Sequence, residues 1–111
     1  MRVLKFGGSS VGKPDRILSV IGILIDYTEK KIPYTVVFSA FSGVTDSLIK
    51  MAHAAAKGDE SYIGLWSIFH DRHLQAIEEL IQDSTHKALI IHDFMEMSYT
   101  LKNLLQGTYL V

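Results

Sequence analysis

The sequence predicts an α/β domain built on a parallel strand–helix–strand unit with further helices behind it. Three observations carry that expectation. The chain opens on a nearly all-apolar run, Arg2 to Phe6, which breaks abruptly into Gly7-Gly8-Ser9-Ser10; unbroken apolar runs of this length belong to interior parallel strands. A long amphipathic segment opened by Pro14 follows, and a second run rich in β-branched and aromatic residues, Tyr34 to Ser39, comes after it. From Thr45 onward the apolar residues recur only at helical spacing. With 111 residues, 48% hydrophobic content and a mean hydropathy of +0.18, the chain amounts to one domain or part of one, with enough apolar side chains for a core.

Each element has its own local reason. Pro14 suits the first turn of a helix, where its missing N–H costs nothing, and Asp15 sits where the helix dipole favours an anion. Ile17, Val20, Ile21, Leu24 and Ile25 predict the buried face of that helix, and Lys30-Lys31 with Pro33 ends it. A strand, a crossover helix and a strand make a right-handed βαβ unit. Thr45 is the expected N-cap of a helix from about Asp46 to Lys57, with Leu48, Ala52, Ala55 and Ala56 on a small-residue face and Gly58 as the stop. From Ser61, Tyr62, Trp66, Phe69, His73, Ile77 and Leu80 form an aromatic-rich stripe. Ser84 then caps a last helix with Ile90, Phe94, Met97, Leu101 and Leu104 inward, ended by Gly107. The two long helices predict an αα-hairpin.

Composition excludes several classes. A formal net charge of −1 argues against nucleic acid as a partner. No apolar stretch approaches the ~20 residues of a membrane span. There is no cysteine, hence no disulfide scaffold and no thiolate metal site. No leucine-rich leader precedes the Gly-Gly turn, as expected of a cytoplasmic protein. His70-Asp71-x-His73 and His92-Asp93 invite a metal reading, yet no third ligand accompanies them, and part-buried or surface helix positions explain them better; no metal site is expected. Met95, Met97 and the Trp66–Phe69 pair read as packing, and Glu78-Glu79 as a solvated helix face.

The chemistry is expected at the ends of the two strands. Glycines at 7 and 8 permit positive φ and close approach of a ligand to the backbone. Consecutive amides in such a turn form an anion-binding concavity, to which the following helix N-terminus adds partial positive charge. Lys5 sets a mobile point charge beside it, and the combination suits phosphate. It is neither a Gly-Lys-Ser/Thr loop nor Gly-x-Gly-x-x-Gly. At the second strand end, Ser39, Ser42 and Thr45 offer hydroxyls and amides. Parallel sheets gather ligands at the carboxyl ends of their strands, so both segments predict one shared site.

Lys5-Phe6-Gly7-Gly8-Ser9-Ser10-Val11 closely resembles the opening signature of the aspartate kinases, with Ser9 where that family usually carries Thr. Val36-Val37-Phe38-Ser39-Ala40-Phe41-Ser42-Gly43-Val44-Thr45-Asp46, roughly thirty residues on, is similar to the family's second strand and substrate loop. The resemblance covers the whole chain but only the first part of a typical aspartate kinase, closest in flavour to the kinase portion of bifunctional aspartate kinase–homoserine dehydrogenases. It implies that residues 1–111 are the incomplete N-terminal portion of a catalytic domain with an amino acid kinase-like α/β/α sandwich fold. It implies ATP with Mg2+ and L-aspartate as substrates, and 4-phospho-L-aspartate, an early product of lysine, threonine and methionine synthesis, as product. By the same resemblance Lys5 steadies the transferring phosphoryl group, Gly7, Gly8 and Ser9 contact phosphate oxygens, and Ser39, Ala40 and Thr45 hold aspartate. The nucleotide-binding half of such a site is not found before Val111, so the chain alone is expected to be inactive and, with unpaired strand edges, to self-associate through either its sheet edge or the aromatic face of its helical hairpin. A small α/β module that binds phosphate or a partner without chemistry is the alternative. A kinase for another acceptor is disfavoured by Ser42-Gly43-Val44-Thr45-Asp46.

Overall fold

A computed structural model describes residues 1–111. The chain divides into two compact units, Met1–Thr45 and Asp46–Val111.

In the first unit, β1 (Arg2–Phe6), α1 (Pro14–Glu29) and β2 (Tyr34–Phe38) form the expected parallel unit, in register from Arg2 opposite Tyr34 to Phe6 opposite Phe38. Pro14 occupies the first turn of α1 behind an extended Lys13, and Asp15 lies in that turn. At the other end the Lys30 amide donates to the Asp26 carbonyl (3.0 Å), and Lys31 turns the chain with a left-handed φ of +56°. Arg2 N–H then donates to Pro33 O (3.1 Å), which starts the ladder. The α1 face of the sheet is fixed by Tyr27 set edge-on to Tyr34 (5.9 Å) and by a 3.1 Å contact between the Thr28 and Tyr34 hydroxyls. Ile17, Val20 and Leu24 face inward as expected, whereas Ile21 and Ile25 are exposed. The strands alternate: Leu4, Phe6, Tyr34 and Val36 are half-buried, while Val3 and Val37 remain 71% and 48% exposed.

In the second unit, α2 (Val44–Ala56, its first turn belonging to the first unit), α3 (Ser61–Leu80) and α4 (Ser84–Tyr109) surround a core of Met51, Ala55, Tyr62, Trp66 and Leu105. Gly58, at φ +70°, stops α2 as expected, and its amide and that of Asp59 satisfy the carbonyls of Ala55 and Ala54. Asp59 Oδ1 then accepts from Ser61 N–H (2.9 Å) at the start of α3.

Several local expectations are corrected. The α2 core face is Met51 and Ala55 with Leu48 and Ala54, and Ala52 and Ala56 lie exposed. Asp83, not Ser84, caps α4: its carboxylate accepts from His86 N–H at 2.8 Å, a longer reach than a serine hydroxyl offers. Gly107 does not end α4. The helix runs to Tyr109, whose ring packs on Tyr62 (5.4 Å) and whose hydroxyl donates to Glu60. The inward face of α4 is also rotated. Ile91, Phe94, Ser98, Leu101 and Leu105 turn inward, and Met97 and Leu104 are 72% and 66% exposed. Ser98 accounts for the rotation. Its hydroxyl meets His70 Nδ1 at 2.6 Å and its carbonyl accepts from Trp66 Nε1 at 3.0 Å, two buried hydrogen bonds that fix the register of α3 against α4.

Candidate functional site

Both predicted loops lie within the first unit, at the carboxyl ends of β1 and β2. Ser39 N–H donates to Phe6 O (3.0 Å), extending the pairing one residue past β2, and the Phe6 and Phe38 rings stack at 5.9 Å. The two chains therefore leave the sheet side by side. The first loop folds at once into a turn in which Ser10 N–H donates to Gly7 O (3.0 Å). The second forms a turn closed by Val44 N–H to Phe41 O (3.0 Å), with Gly43 at φ +80°.

Gly8 and Gly12 are where the loops touch. A Cβ on Gly8 would lie 3.3 Å from Ser42 Cα and 3.4 Å from Ala40 O; one on Gly12 would lie 3.1 Å from Gly8 O and 3.2 Å from Ser42 Cβ. A side chain at either position is too close to backbone or to the first atom of a side chain, and only glycine lets the loops pack this tightly. The physical need differs from the expected one. Neither Gly7 nor Gly8 takes a positive φ; Gly8 serves close approach, and Gly7 faces open space.

The polar groups of this edge are mostly donors. Lys5, paired in register with Val37, is exposed on the sheet face opposite Phe6. Its ammonium and the hydroxyls of Ser9, Ser39 and Thr45 have no partner within the chain, and neither do the Gly8 and Ser9 amides. The N-terminus of α1 begins at Pro14, with no side-chain cap from Lys13. Ammonium, amides and hydroxyls are donors of the kind an oxyanion requires, and Asp15 and Asp46, in the first turns of α1 and α2, are the carboxylates nearest to them in sequence. Of the sequence-predicted residues, Lys5, Gly7, Gly8 and Ser9 lie on one loop with its strand, and Ser39, Ala40 and Thr45 on the other. Gly8 and Ala40 are brought into contact.

Thr45 is not the cap of α2. The helix starts at Val44, which is 6% exposed, and Thr45 lies inside its first turn. Two residues escaped sequence reasoning. Gly12 was legible as a small residue in a turn, but not as the wedge point of two loops. Arg16 looked like an ordinary residue of the first helical turn, yet its Nη1 donates to Ser9 O at 3.3 Å.

Of the histidines of the second unit, His70 and His73 belong to its packing, and His53, His86 and His92 are exposed. His70 is 7% exposed and stacks on Trp66 (4.6 Å). His73 lies at 2.8 Å from Phe69 O, and burial holds its pKa below the ordinary imidazole value, with Arg72 and His70 adding to the depression. No three His, Cys, Asp or Glu side chains come together anywhere in the chain. No helix is long and apolar enough to cross a membrane.

A strand-end lysine, a glycine turn at the sheet edge and a second hydroxyl-bearing loop against it make up this corner of the first unit. The chain belongs to the amino acid kinase family, whose sequence profile matches residues 1–106. It is similar to the chloroplastic bifunctional aspartokinase/homoserine dehydrogenase 1 of Zea mays, with 31% identity over 109 residues that cover 97% of this chain and 11% of that protein. The chloroplastic bifunctional aspartokinase/homoserine dehydrogenase 2 of Arabidopsis thaliana is 31% identical over 109 residues, covering 97% of this chain and 12% of its own length. The corresponding protein of Daucus carota is 34% identical over 110 residues, 96% of this chain and 11% of the relative. The chain thus spans about a tenth of the length of these relatives.

Proposed function

We propose that this chain is the phosphate- and substrate-binding corner of an aspartate kinase, within a longer protein of the bifunctional aspartokinase–homoserine dehydrogenase kind. The observation that carries the reading is the packing of Gly8 against Ala40 and Ser42, which sets a donor-rich turn beside a second loop rich in hydroxyls. The similarity to the plant proteins over nearly the whole chain supports the choice of aspartate as acceptor. In this reading residues 1–111 are the opening portion of an α/β/α sandwich.

The β-carboxylate of L-aspartate attacks the γ-phosphorus of ATP. A carboxylate oxygen–phosphorus bond forms, the bond to the bridging β,γ-oxygen breaks, and ADP leaves with the electron pair; no proton need move. Such a transfer asks for positioning and charge neutralisation more than covalent help. Lys5 neutralises charge that builds on the transferring group, and the Gly7, Gly8 and Ser9 amides with the Ser9 hydroxyl hold phosphate oxygens. Ser39, the Ala40 backbone and Thr45 hold the amino acid. Mg2+ enters with the nucleotide as part of the substrate.

The remaining parts of the proposal concern the chain by itself. It has no turnover, since the nucleotide-binding half is not among its elements. It acts in the cytoplasm. It also self-associates, burying the exposed apolar side chains Val3, Val37, Leu18 and Ile25 that its sheet and α1 present. The test of the functional reading is acceptor dependence: the longer protein carrying this chain should form acyl phosphate, trapped as the hydroxamate, with L-aspartate and ATP. Equal or better turnover with glutamate, or none with aspartate, would overturn it. Concentration-independent monomer mass in sedimentation equilibrium would remove self-association alone.

A further inference from the structure

We propose that Arg16 is a positioning residue for the first loop, acting on the Gly7–Ser10 turn and touching neither phosphate nor acceptor; this rests on the phosphate-binding reading of that turn. The Ser9–Ser10 peptide unit is held at both ends. Its N–H donates to Gly7 O at 3.0 Å, and its carbonyl accepts from Arg16 Nη1 at 3.3 Å. Arg16 reaches back seven residues from the first turn of α1 to do this.

The reach matters because the usual tie is absent. Lys13 stands at the N-cap of α1 with no side-chain cap hydrogen bond, so the turn is not fastened to the helix in the common way. An unfastened peptide unit next to an anion site is hazardous. A rotation of one peptide plane replaces a donor N–H with a carbonyl oxygen, which repels phosphate. With its carbonyl engaged by a guanidinium, the Ser9–Ser10 unit keeps its orientation, and the free Gly8 and Ser9 amides stay on a fixed frame. Arg16 borders a cleft with Phe6, Ser10, Ser19, Val20 and Ile23. Arginine suits the role because its planar fork loses less freedom per hydrogen bond than a lysine ammonium.

Arg16→Met keeps the length of the stem and removes every donor; Arg16→Lys keeps the charge and loses the fork. Two readouts separate positioning from charge. In the ligand-free chain, amide exchange at Ser10 should quicken about tenfold in Arg16→Met, the effect of losing one hydrogen bond in the frame, and by a smaller factor in Arg16→Lys. In a titration with inorganic tripolyphosphate followed at the Gly7, Gly8 and Ser9 amides, affinity should fall about tenfold in Arg16→Met and recover only in part in Arg16→Lys. Unchanged Ser10 exchange in Arg16→Met overturns the proposal. So does Arg16→Lys that binds like the wild type while its Ser10 exchange matches Arg16→Met, because charge alone would then suffice. A wild-type chain whose loop amides ignore tripolyphosphate, with Ser10 still quickened by Arg16→Met, defeats the phosphate reading and leaves the fastening role standing.

Discussion

Gly12→Ala puts the contact between the two loops to a quantitative test. The new Cβ would sit 3.1 Å from Gly8 O and 3.2 Å from Ser42 Cβ, inside the ordinary contact range of 3.4–4 Å, and the atoms it meets belong to or border backbone. Relief requires the loops to part by a few tenths of an ångström. Overpacking of this kind costs about 1–3 kcal/mol. Against it stands the entropy that alanine removes from the unfolded chain, about 0.4–1 kcal/mol in favour of the variant. The strain wins, with a net loss of roughly 1–2 kcal/mol, equivalent to a five- to thirtyfold change in the local opening equilibrium. Gly7→Ala is the control. It meets nothing within 4 Å and has no positive φ, so only the entropic gain applies and the sign reverses. Hydrogen exchange at Ser39, whose amide donates to Phe6 O between the loops, reports the opening directly. Exchange in Gly12→Ala as slow as in Gly7→Ala would refute the claim that these loops are packed to their limit.

Three further outcomes follow from the site and the helical hairpin. In the longer enzyme, Lys5→Ala should lower kcat by about 10²–10³ with little change in aspartate KM, the usual loss of one preorganised charge-stabilising group; a large KM effect with kcat intact would mean Lys5 serves the other substrate. Thr45→Ala should raise aspartate KM about tenfold, yet shift stability by less than about 0.5 kcal/mol, because Thr45 makes no capping bond in α2; a stability loss with unchanged KM would assign it to structure. The second unit should weaken in mild acid. Burial, then Arg72 and His70, depress the folded pKa of His73 below 6.5, so its contribution is complete above that value and is lost as pH falls through it. Urea unfolding followed by Trp66 fluorescence at pH 7.5 and 5.5 should show a drop that His73→Phe reduces, and an equal drop in both proteins would exclude His73 as its source.

What the sequence made legible was whatever depends on local backbone chemistry. Pro14 and Asp15 mark the start of α1, Gly58 its counterpart at the end of α2, and the run from Ser61 to Leu80 is one helix as its periodicity predicts. The parallel pairing and the placement of both loops at one sheet edge follow from element order alone. Faces and caps were less legible, because they are decided by partners distant in the chain. Ser98 turns inward only since His70 and Trp66 wait for it across α3, and a polar residue gives no hydrophobic signal. Asp83 outcompeted Ser84 through one carboxylate contact, and Tyr109 carried α4 past Gly107 by packing on Tyr62. Within the site, Lys5, Gly8 and Ser9 were visible as residue types. Gly12 and Arg16 were not, since their importance lies in atoms 3.1–3.3 Å away on other turns of the chain.

The central claim is that one corner of the sheet binds phosphate and acceptor side by side. Amide shift mapping of the isotope-labelled wild-type chain, titrated with tripolyphosphate and then with L-aspartate, tests it most directly. Tripolyphosphate should move the Gly7, Gly8 and Ser9 amides, and aspartate those from Ser39 to Thr45, with α3 and α4 unaffected by either. Shifts centred on the helical hairpin, or two loops that remain still while ligand reaches saturating concentration, would contradict it.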